Sequence, residues 1–323
     1  MKKNIAIVAG GDQSEVVVSL KSASGIYSFI DHERYNCYIV TITGKDWTVT
    51  YNREQLKIDK NDFSFTAHNQ HIRFDFAYIT IHGIPGEDGK LQGYFDLIGL
   101  PYSCCGVLTA ALTFNKYFCN HYLQPFGINV AKSMLFRKGS AITPEKVVEQ
   151  LGLPCFVKPN AGGSSFGVTK VKSVKGVKPA IEKALKEGNE VIIESFLAGT
   201  EITCGIYKTK QKEVVLPVTE VVSENEFFDF DAKYKGQVQE ITPARLSKAL
   251  TQQVQQLTSF IYDAIGAKGI VRIDYIITEG DVIHLLEVNT NPGMTETSFI
   301  PQQAKAAGLE MKTILTEVIE DQL

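Results

Sequence analysis

The sequence predicts an α/β fold made of more than one layered unit, and three observations predict it. The chain opens as strand, loop, helix and strand: apolar residues 4–9, a loop at 10–15, helical apolar spacing over 16–30 and a second strand at 37–42. Strand and helix patterns keep alternating further on, with strands at 154–159 and 191–197 on either side of a helix at 178–187. A length of 323 residues is that of about two to three domains.

The remaining elements follow in order. An apolar strand over 74–81 runs into His82-Gly83-Ile84-Pro85-Gly86-Glu87-Asp88-Gly89, a loop with three glycines, a proline and two acids around one histidine. Active-site loops gather at such strand ends in open α/β sheets. A helical turn over 92–99 ends at a break, residues 100–103, and a first boundary is placed near Ser103. Residues 109–123 read as one helix carrying Asn115 and Lys116. Residues 142–151 read as another, with Thr143 as N-cap and Pro144 at its first position. Strands are expected at 168–171, 202–207 and 214–222, an aromatic, charged loop at 227–236, and helices at 245–265 and 312–319.

Bulk properties narrow the function. Hydrophobic and charged fractions of 44% and 21% are those of an ordinary globular enzyme with ample core. A net charge of −3 gives no reason to expect nucleic acid or an anionic membrane as partner. Lys2-Lys3 before an apolar run imitates a signal peptide, but the run is too short and breaks at Gly10-Gly11-Asp12. No segment approaches the length of a membrane span. The cysteines Cys37, Cys104, Cys105, Cys119, Cys155 and Cys204 have neither C-x-x-C spacing nor neighbouring histidines, so reduced thiols in a cytoplasmic protein are expected.

Two stretches carry chemistry. Residues 270–278 and 282–288 are β-branched runs separated by Glu279-Gly280-Asp281, which reads as a hairpin. With Gly280-Asp281 as a two-residue turn, Asp274 lies opposite Glu287 and Arg272 opposite Asn289, all four on one face. Two carboxylates opposed across a ladder repel unless a cation sits between them. Two acids and an amide suit Mg²⁺ shared with phosphates, and a solvated polar face is the other reading. The second stretch, residues 154–171, places Asn160-Ala161-Gly162-Gly163-Ser164-Ser165 between two strands. A Walker loop joins strand to helix and ends G-K-[ST], so this is a different device: a phosphate cradle and lid, or a plain flexible hairpin. The Gly10-Gly11 pair does not match G-x-G-x-x-G, which removes the dinucleotide fingerprint of a nicotinamide oxidoreductase.

Quoted in order, GGDQSEVVVSL (10–20), HGIPGEDGKLQGYFDLIGLPYS (82–103), FVKPNAGGSSFGVTKV (156–171), IIESFLAGTEIT (192–203), FFDFDAKY (227–234) and RIDY…LLEVNTNPGMTETS (272–298) closely resemble the D-alanine–D-alanine ligases of the ATP-grasp superfamily. The resemblance spans nearly the whole chain. It implies a three-domain ATP-grasp fold with an N-terminal Rossmann-like α/β domain: 1–103, a central subdomain at 104–196, and a C-terminal subdomain at 197–323. It implies ATP-dependent ligation of two D-alanines in the cytoplasm, with ATP and two Mg²⁺ ions (Mn²⁺ as a substitute) and a homodimer as the assembly.

The same resemblance assigns residues. Lys116, Lys158 and Ser165 would hold phosphates, and Lys233 the γ-phosphate. Glu194, Ser195, Phe196 and Leu197 would form the adenine connector, and Glu201 would bind ribose. Asp274, Glu287 and Asn289 would be the metal ligands. Glu15 and His82 would receive the first D-alanine, with Ser164 and Tyr234 bonded to Glu15. Arg272 and the Gly293 amide would face the tetrahedral oxyanion, and Ser298 and Phe299 would bind the second D-alanine. Asn115 stands where the family usually has Asp, Phe228 and Phe230 where it often has Tyr, and Cys104-Cys105 where a Thr-Gly-type turn is more usual. Rival readings are a relative making D-alanyl-D-serine or D-alanyl-D-lactate, and a non-catalytic nucleotide binder.

Overall fold

Local pattern sets the first layer. The apolar run at the start becomes β1 (Lys3–Gly10), fully buried over its last six residues. It is followed by α1 (Val16–Phe29), β2 (Tyr35–Thr43), β3 (Asp46–Tyr51) and β4 (Glu54–Lys57). A small hairpin, β5 (Ser64–Ala67) and β6 (Gln70–Arg73), precedes β7 (Phe76–Ile79), and the main sheet has the order β4-β3-β2-β1-β7. β1 pairs in parallel with both β2 and β7, so this is an open sheet whose strand ends can hold a site. The computed structural model describes residues 2–11, 15–141, 143–163, 167–223 and 238–323.

Helix α2 (Lys90–Ile98) leads to α3 (Val107–Phe114) and α4 (Lys116–Leu123). The single helix expected over 109–123 is therefore two. Asn115 adopts φ −93°, ψ 97°, outside the helical region, and its side chain caps α4 by accepting from the Phe118 amide at 3.0 Å. An asparagine that can cap competes with the helix it interrupts, and the break leaves Lys116 at a helix N-terminus.

The second sheet contains β9 (Ser133–Arg137), β10 (Cys155–Pro159), β11 (Thr169–Val171) and β12 (Glu190–Ser195), in the order β11-β10-β12-β9. Helices α5 (Pro144–Leu151) and α6 (Val174–Ala184) cover it through Val147, Val177, Ile181 and Ala184. Thr143 is the N-cap of α5 as expected, though its side chain makes no capping bond. β10 and β11 pair antiparallel, so the glycine-rich loop does join strand to strand.

The third sheet takes the two-residue β8 (Asn129–Val130) together with β13 (Gly199–Lys208), β14 (Glu213–Val215), β15 (Thr219–Ser223), β16 (Val238–Ile241), β17 (Gly269–Thr278) and β18 (Val282–Asn289). Its order is β16-β15-β13-β17-β18-β8, with β14 on β13. The strand expected over 214–222 is interrupted, giving β14 and β15. Helix α7 (Lys248–Ala264), capped by Ser247, packs Leu250, Val254 and Ile261 on this sheet. Two helices close the chain: α8 (Phe299–Ala306), absent from the sequence expectation, and α9 (Met311–Gln322).

One core cluster joins distant parts. Ile7, Ala23 and Ile26 of the first layer pack with Tyr207, Ile270, Met294, Ile300, Ile314 and Val318. The last helix is also tied to the first layer by polar contacts, since the Tyr35 hydroxyl donates to Glu320 at 2.6 Å. Glycine is needed at position 25 of α1, where a Cβ would stand 2.0 Å from the Met294 carbonyl oxygen. That approach brings α1 against the 290–295 loop.

Candidate active site

The hairpin delivers the pairing expected of it by a different route. Near the turn, Thr278 pairs with Val282 and Tyr275 with Leu285, one residue off the register of a two-residue turn. The turn is Glu279-Gly280-Asp281, with φ of 77° at Gly280 and 59° at Asp281. A register shift between Asp274 and Tyr275 absorbs the extra residue. Asp274 then faces Glu287 and Arg272 faces Asn289.

Each carboxylate has a cation. Arg272 donates to both oxygens of Asp274, Nε to Oδ1 at 2.9 Å and Nη2 to Oδ2 at 2.7 Å. Asn289 Nδ2 donates to Oδ2 at 3.0 Å, and Thr203 Oγ1 on neighbouring β13 donates to Oδ1 at 2.5 Å. Burial works against the Arg272 charge, but Asp274 and then Glu287 and Glu87 outweigh it, so its pKa stands above the ordinary arginine value. Its guanidinium also lies over the Phe299 ring, 5.3 Å from the centroid.

Lys116 joins the second and third sheets. Its ammonium donates to the Gly162 carbonyl at 2.5 Å and lies 3.4 Å from Glu287. These groups line a cleft with Glu87, Gly163 and Asn289. Lys158 is paired with Glu194 at 2.6 Å, and Asn120 donates to the other Glu194 oxygen at 3.3 Å. Burial disfavours the Lys158 charge, and Glu194 more than compensates, which raises the lysine pKa. The Ser195 amide donates to Lys132 and the Phe196 amide to Pro154, Leu197 follows them, and Glu201 sits on β13 opposite Val221.

On the side of the first sheet, Glu15 is 6% exposed at the start of α1. A Cβ on Gly163 would stand 3.0 Å from Glu15 Oε1, so the loop backbone passes directly over this carboxylate. His82 is buried with Nε2 3.2 Å from Ser22 Oγ, and Ser22 Oγ accepts from the Met294 amide at 3.4 Å. Asn291 donates to the Ile81 carbonyl at 2.7 Å, fixing the loop after β18 to the end of β7. Ser298, the N-cap of α8, accepts from the Thr295 amide at 3.0 Å, and Gly293 lies beside it.

The structure thus gathers Arg272, Asp274, Glu287, Asn289 and Lys116 into one cluster and sets Glu15, His82 and Gly293 around it. Ser164, Ser165, Lys233 and Tyr234, like Phe228 and Phe230, lie outside the described residues. Thr203 and Asn291 lie within quoted motifs but, like Ser22, had no assigned role; strand pairing and loop docking bring them to the site. Glu87 stood in the glycine-rich loop without a role. It accepts from the Gly83 amide at 2.6 Å, and burial with the nearby Glu15 charge pushes its pKa up to about 8. The cysteines are all free, and burial raises their pKa values, Cys104 to about 11, so none is an activated thiolate. Among the described residues, no three His, Cys, Asp or Glu side chains form a metal cage, and no helix is long and apolar enough to cross a membrane.

A cleft between two mainly antiparallel sheets, with lysines, a glycine-rich strand-to-strand loop and a carboxylate–carboxamide hairpin, defines an ATP-grasp fold. Sequence profiles of the D-ala D-ala ligase N-terminus and C-terminus match residues 4–105 and 122–320. The chain belongs to the D-alanine–D-alanine ligase family. It is 63% identical over 322 residues to the D-alanine–D-alanine ligase of Bacteroides fragilis, with 99% of each chain covered. Identity to that of Parabacteroides distasonis is 64% over 324 residues, covering 100% of this chain and 98% of the relative. A D-Ala:D-Ser ligase from Enterococcus faecalis superposes with a TM-score of 0.89 at 30% identity, covering both chains fully. The ATP complex of the Bacillus anthracis D-alanine–D-alanine ligase does so at 0.78 and 28%, covering 99% of this chain and 97% of that one.

Proposed function

We propose that the chain joins two D-alanines into D-alanyl-D-alanine at the expense of ATP, through D-alanyl phosphate, for peptidoglycan precursor synthesis in the cytoplasm. The observation that carries the reading is the Arg272–Asp274–Glu287–Asn289 face standing beside Lys116 and the glycine loop.

A carboxylate is a poor acyl donor, so one carboxylate oxygen of the first D-alanine attacks the γ-phosphorus and ADP leaves. Lys116, Lys158 and Lys233 would neutralise the phosphates, with Ser165 as a further donor. Asp274, Glu287 and Asn289 offer hard oxygen donors that fit Mg²⁺, which would supply further charge neutralisation at the phosphates. Glu15 would hold the ammonium of the first D-alanine, with His82 beside it. The amine of the second D-alanine attacks the acyl carbon. Arg272 and the Gly293 amide would stabilise the oxyanion, and phosphate departs as the amide forms. Ser298 and Phe299 would seat the second substrate, and the resemblance would have Ser164 and Tyr234 bond Glu15 and help exclude water. The backbone of Ser195–Leu197 would meet adenine and Glu201 the ribose, the Glu194 side chain being committed to Lys158.

The chain would divide at 1–103, 104–196 and 197–323 and would act as a homodimer; the first sheet (3–79) and the second (133–195) agree with this division, whereas β8 and the Cys105, Cys119, Leu123 and Ile128 side chains join the third sheet and its core. Solvent-facing Leu97 and Leu108, 89% and 80% exposed, are suited to an interface. The likeness to a D-Ala:D-Ser ligase keeps a second reading in view, and the set of Glu15, HGIPGEDG and Ala232-Lys233-Tyr234 favours D-alanine.

Phosphate release from ATP and Mg²⁺ is measured with D-alanine, L-alanine, D-alanine plus D-serine, or D-alanine plus D-lactate, with product masses recorded. Release with D-alanine and a D-alanyl-D-alanine mass is expected. Release with D-alanine only when D-serine or D-lactate is present would transfer the reading to the rival ligases, and no turnover with any mixture would end it.

A further inference from the structure

We propose that Asn160 is a positioning residue for the nucleotide phosphates, holding Lys116 against the glycine-rich loop through a polar joint with Asn115 and Glu190. The inference rests on the nucleotide-binding reading above. Asn160 is 0% exposed, and each of its polar groups has a partner. Its Oδ1 accepts from the Tyr117 amide at 2.9 Å, and its carbonyl accepts from the Lys116 amide at 3.0 Å. Its Nδ2 donates to Asn115 Oδ1 at 2.9 Å and to Glu190 Oε2 at 2.8 Å, while its own amide donates to the Glu190 carbonyl at 3.0 Å.

These bonds leave little choice of chemistry. Main-chain amides of Tyr117 and Phe118 fix the oxygen ends of both carboxamides, so their nitrogen ends must point at acceptors. Asn115 Nδ2 accordingly donates to Glu190 Oε2 at 3.3 Å, and Arg137 Nε supplies the other Glu190 oxygen at 2.8 Å. An aspartate at position 115 would still cap α4 but would set a second carboxylate against Glu190. The asparagine at 115 is therefore matched to Asn160 and Glu190. Two residues beyond Asn160, the Gly162 carbonyl receives the Lys116 ammonium. The joint thus fixes both ends of the span between that ammonium and the loop.

The test uses the full-length chain and its Asn160→Asp, Asn160→Ala and Asn160→Asp/Glu190→Gln variants. ATP binding with Mg²⁺ and without D-alanine is followed by calorimetry, alongside the KM for ATP, the KM for D-alanine and the melting midpoint. Asn160→Asp is expected to weaken ATP binding and raise the ATP KM about tenfold, the loss of one buried hydrogen bond, with the D-alanine KM changed less than about twofold. Glu190→Gln in that background offers the introduced carboxylate a donor and leaves Oε1 for Arg137, so about half of the loss in log KM should return. Asn160→Ala, which adds no charge, gives the same selective loss if the aspartate variant is not recovered folded. ATP affinity unchanged in the variants, or equal loss for both substrates with no recovery in the double variant, overturns the proposal alone. A wild-type chain that binds no ATP overturns it together with the functional reading.

Discussion

Replacing Arg272 by methionine removes the only side-chain cation bonded to Asp274 among the described residues while keeping much of the apolar stem. Asp274 is 9% exposed and accepts four hydrogen bonds, two of them from Arg272. Stripping one partner from a buried ion pair costs about 3–5 kcal/mol. Thr203 and Asn289 stay as neutral donors, which brings the expected loss to about 2–3 kcal/mol. For a chain of 323 residues that is a fall of roughly 3–5 °C in melting midpoint. Arg272→Lys keeps the charge and loses the fork, and should cost about 1 kcal/mol. The assay is thermal denaturation in a chelator without nucleotide, so that no metal shares the carboxylate, run as a double-mutant cycle with Asp274→Asn. A coupling of about 2 kcal/mol is expected. A midpoint for Arg272→Met within a degree of wild type, or strict additivity in the cycle, would refute the reasoning.

Three further outcomes follow from contacts around the site. Thr203→Val removes the short bond to Asp274 at nearly constant volume and should lower stability by about 1.5–3 kcal/mol in urea titration, with an unchanged far-ultraviolet spectrum; a stability equal to wild type would count against it. Gly25→Ala drives a Cβ into the Met294 carbonyl, costing about 1–3 kcal/mol and raising the D-alanine KM, since the 290–295 loop must move; an unaltered melting curve and KM would exclude that close approach. Glu87 has a folded pKa raised from 4.5 to about 8. Its stabilising contribution is therefore fully present below about pH 4.5 and lost as pH rises through 8. Glu87→Gln should flatten the fall of stability between about pH 5 and 8, measured by denaturant titration at several pH values, and parallel slopes would contradict the shift.

Much of the hairpin was legible in the sequence, because its two strands are neighbours in the chain and alternation alone puts Arg272 and Asp274 on the face of Glu287 and Asn289. The break at 279–281 was legible too, but the two-residue turn assumed within it is a three-residue one. A left-handed Gly280-Asp281 pair serves a three-residue turn as well as a two-residue one, and only the finished ladder places the compensating register shift beside Asp274. The glycine-rich strand-to-strand loop and the α/β opening were legible for the same reason, their signals being local in period and turn chemistry.

Other features belong to long-range packing. Residues 109–123 have continuous helical spacing, and the break at Asn115 wins because its side chain, with Asn160 and Glu190 across the fold, satisfies the exposed start of α4 better than another helical turn would. Thr203 meets Asp274 from 71 residues away, and Met294 meets Gly25 from farther still. Which cation serves which carboxylate was likewise decided by the tertiary fold: Arg272 for Asp274, Lys116 for Glu287 and Lys158 for Glu194. Sequence by itself determined the residue types, the strand and helix periods and the family. Spatial pairing of charges had to wait for the fold, because electrostatic partners are chosen by distance and burial, and neither is a property of position along a chain.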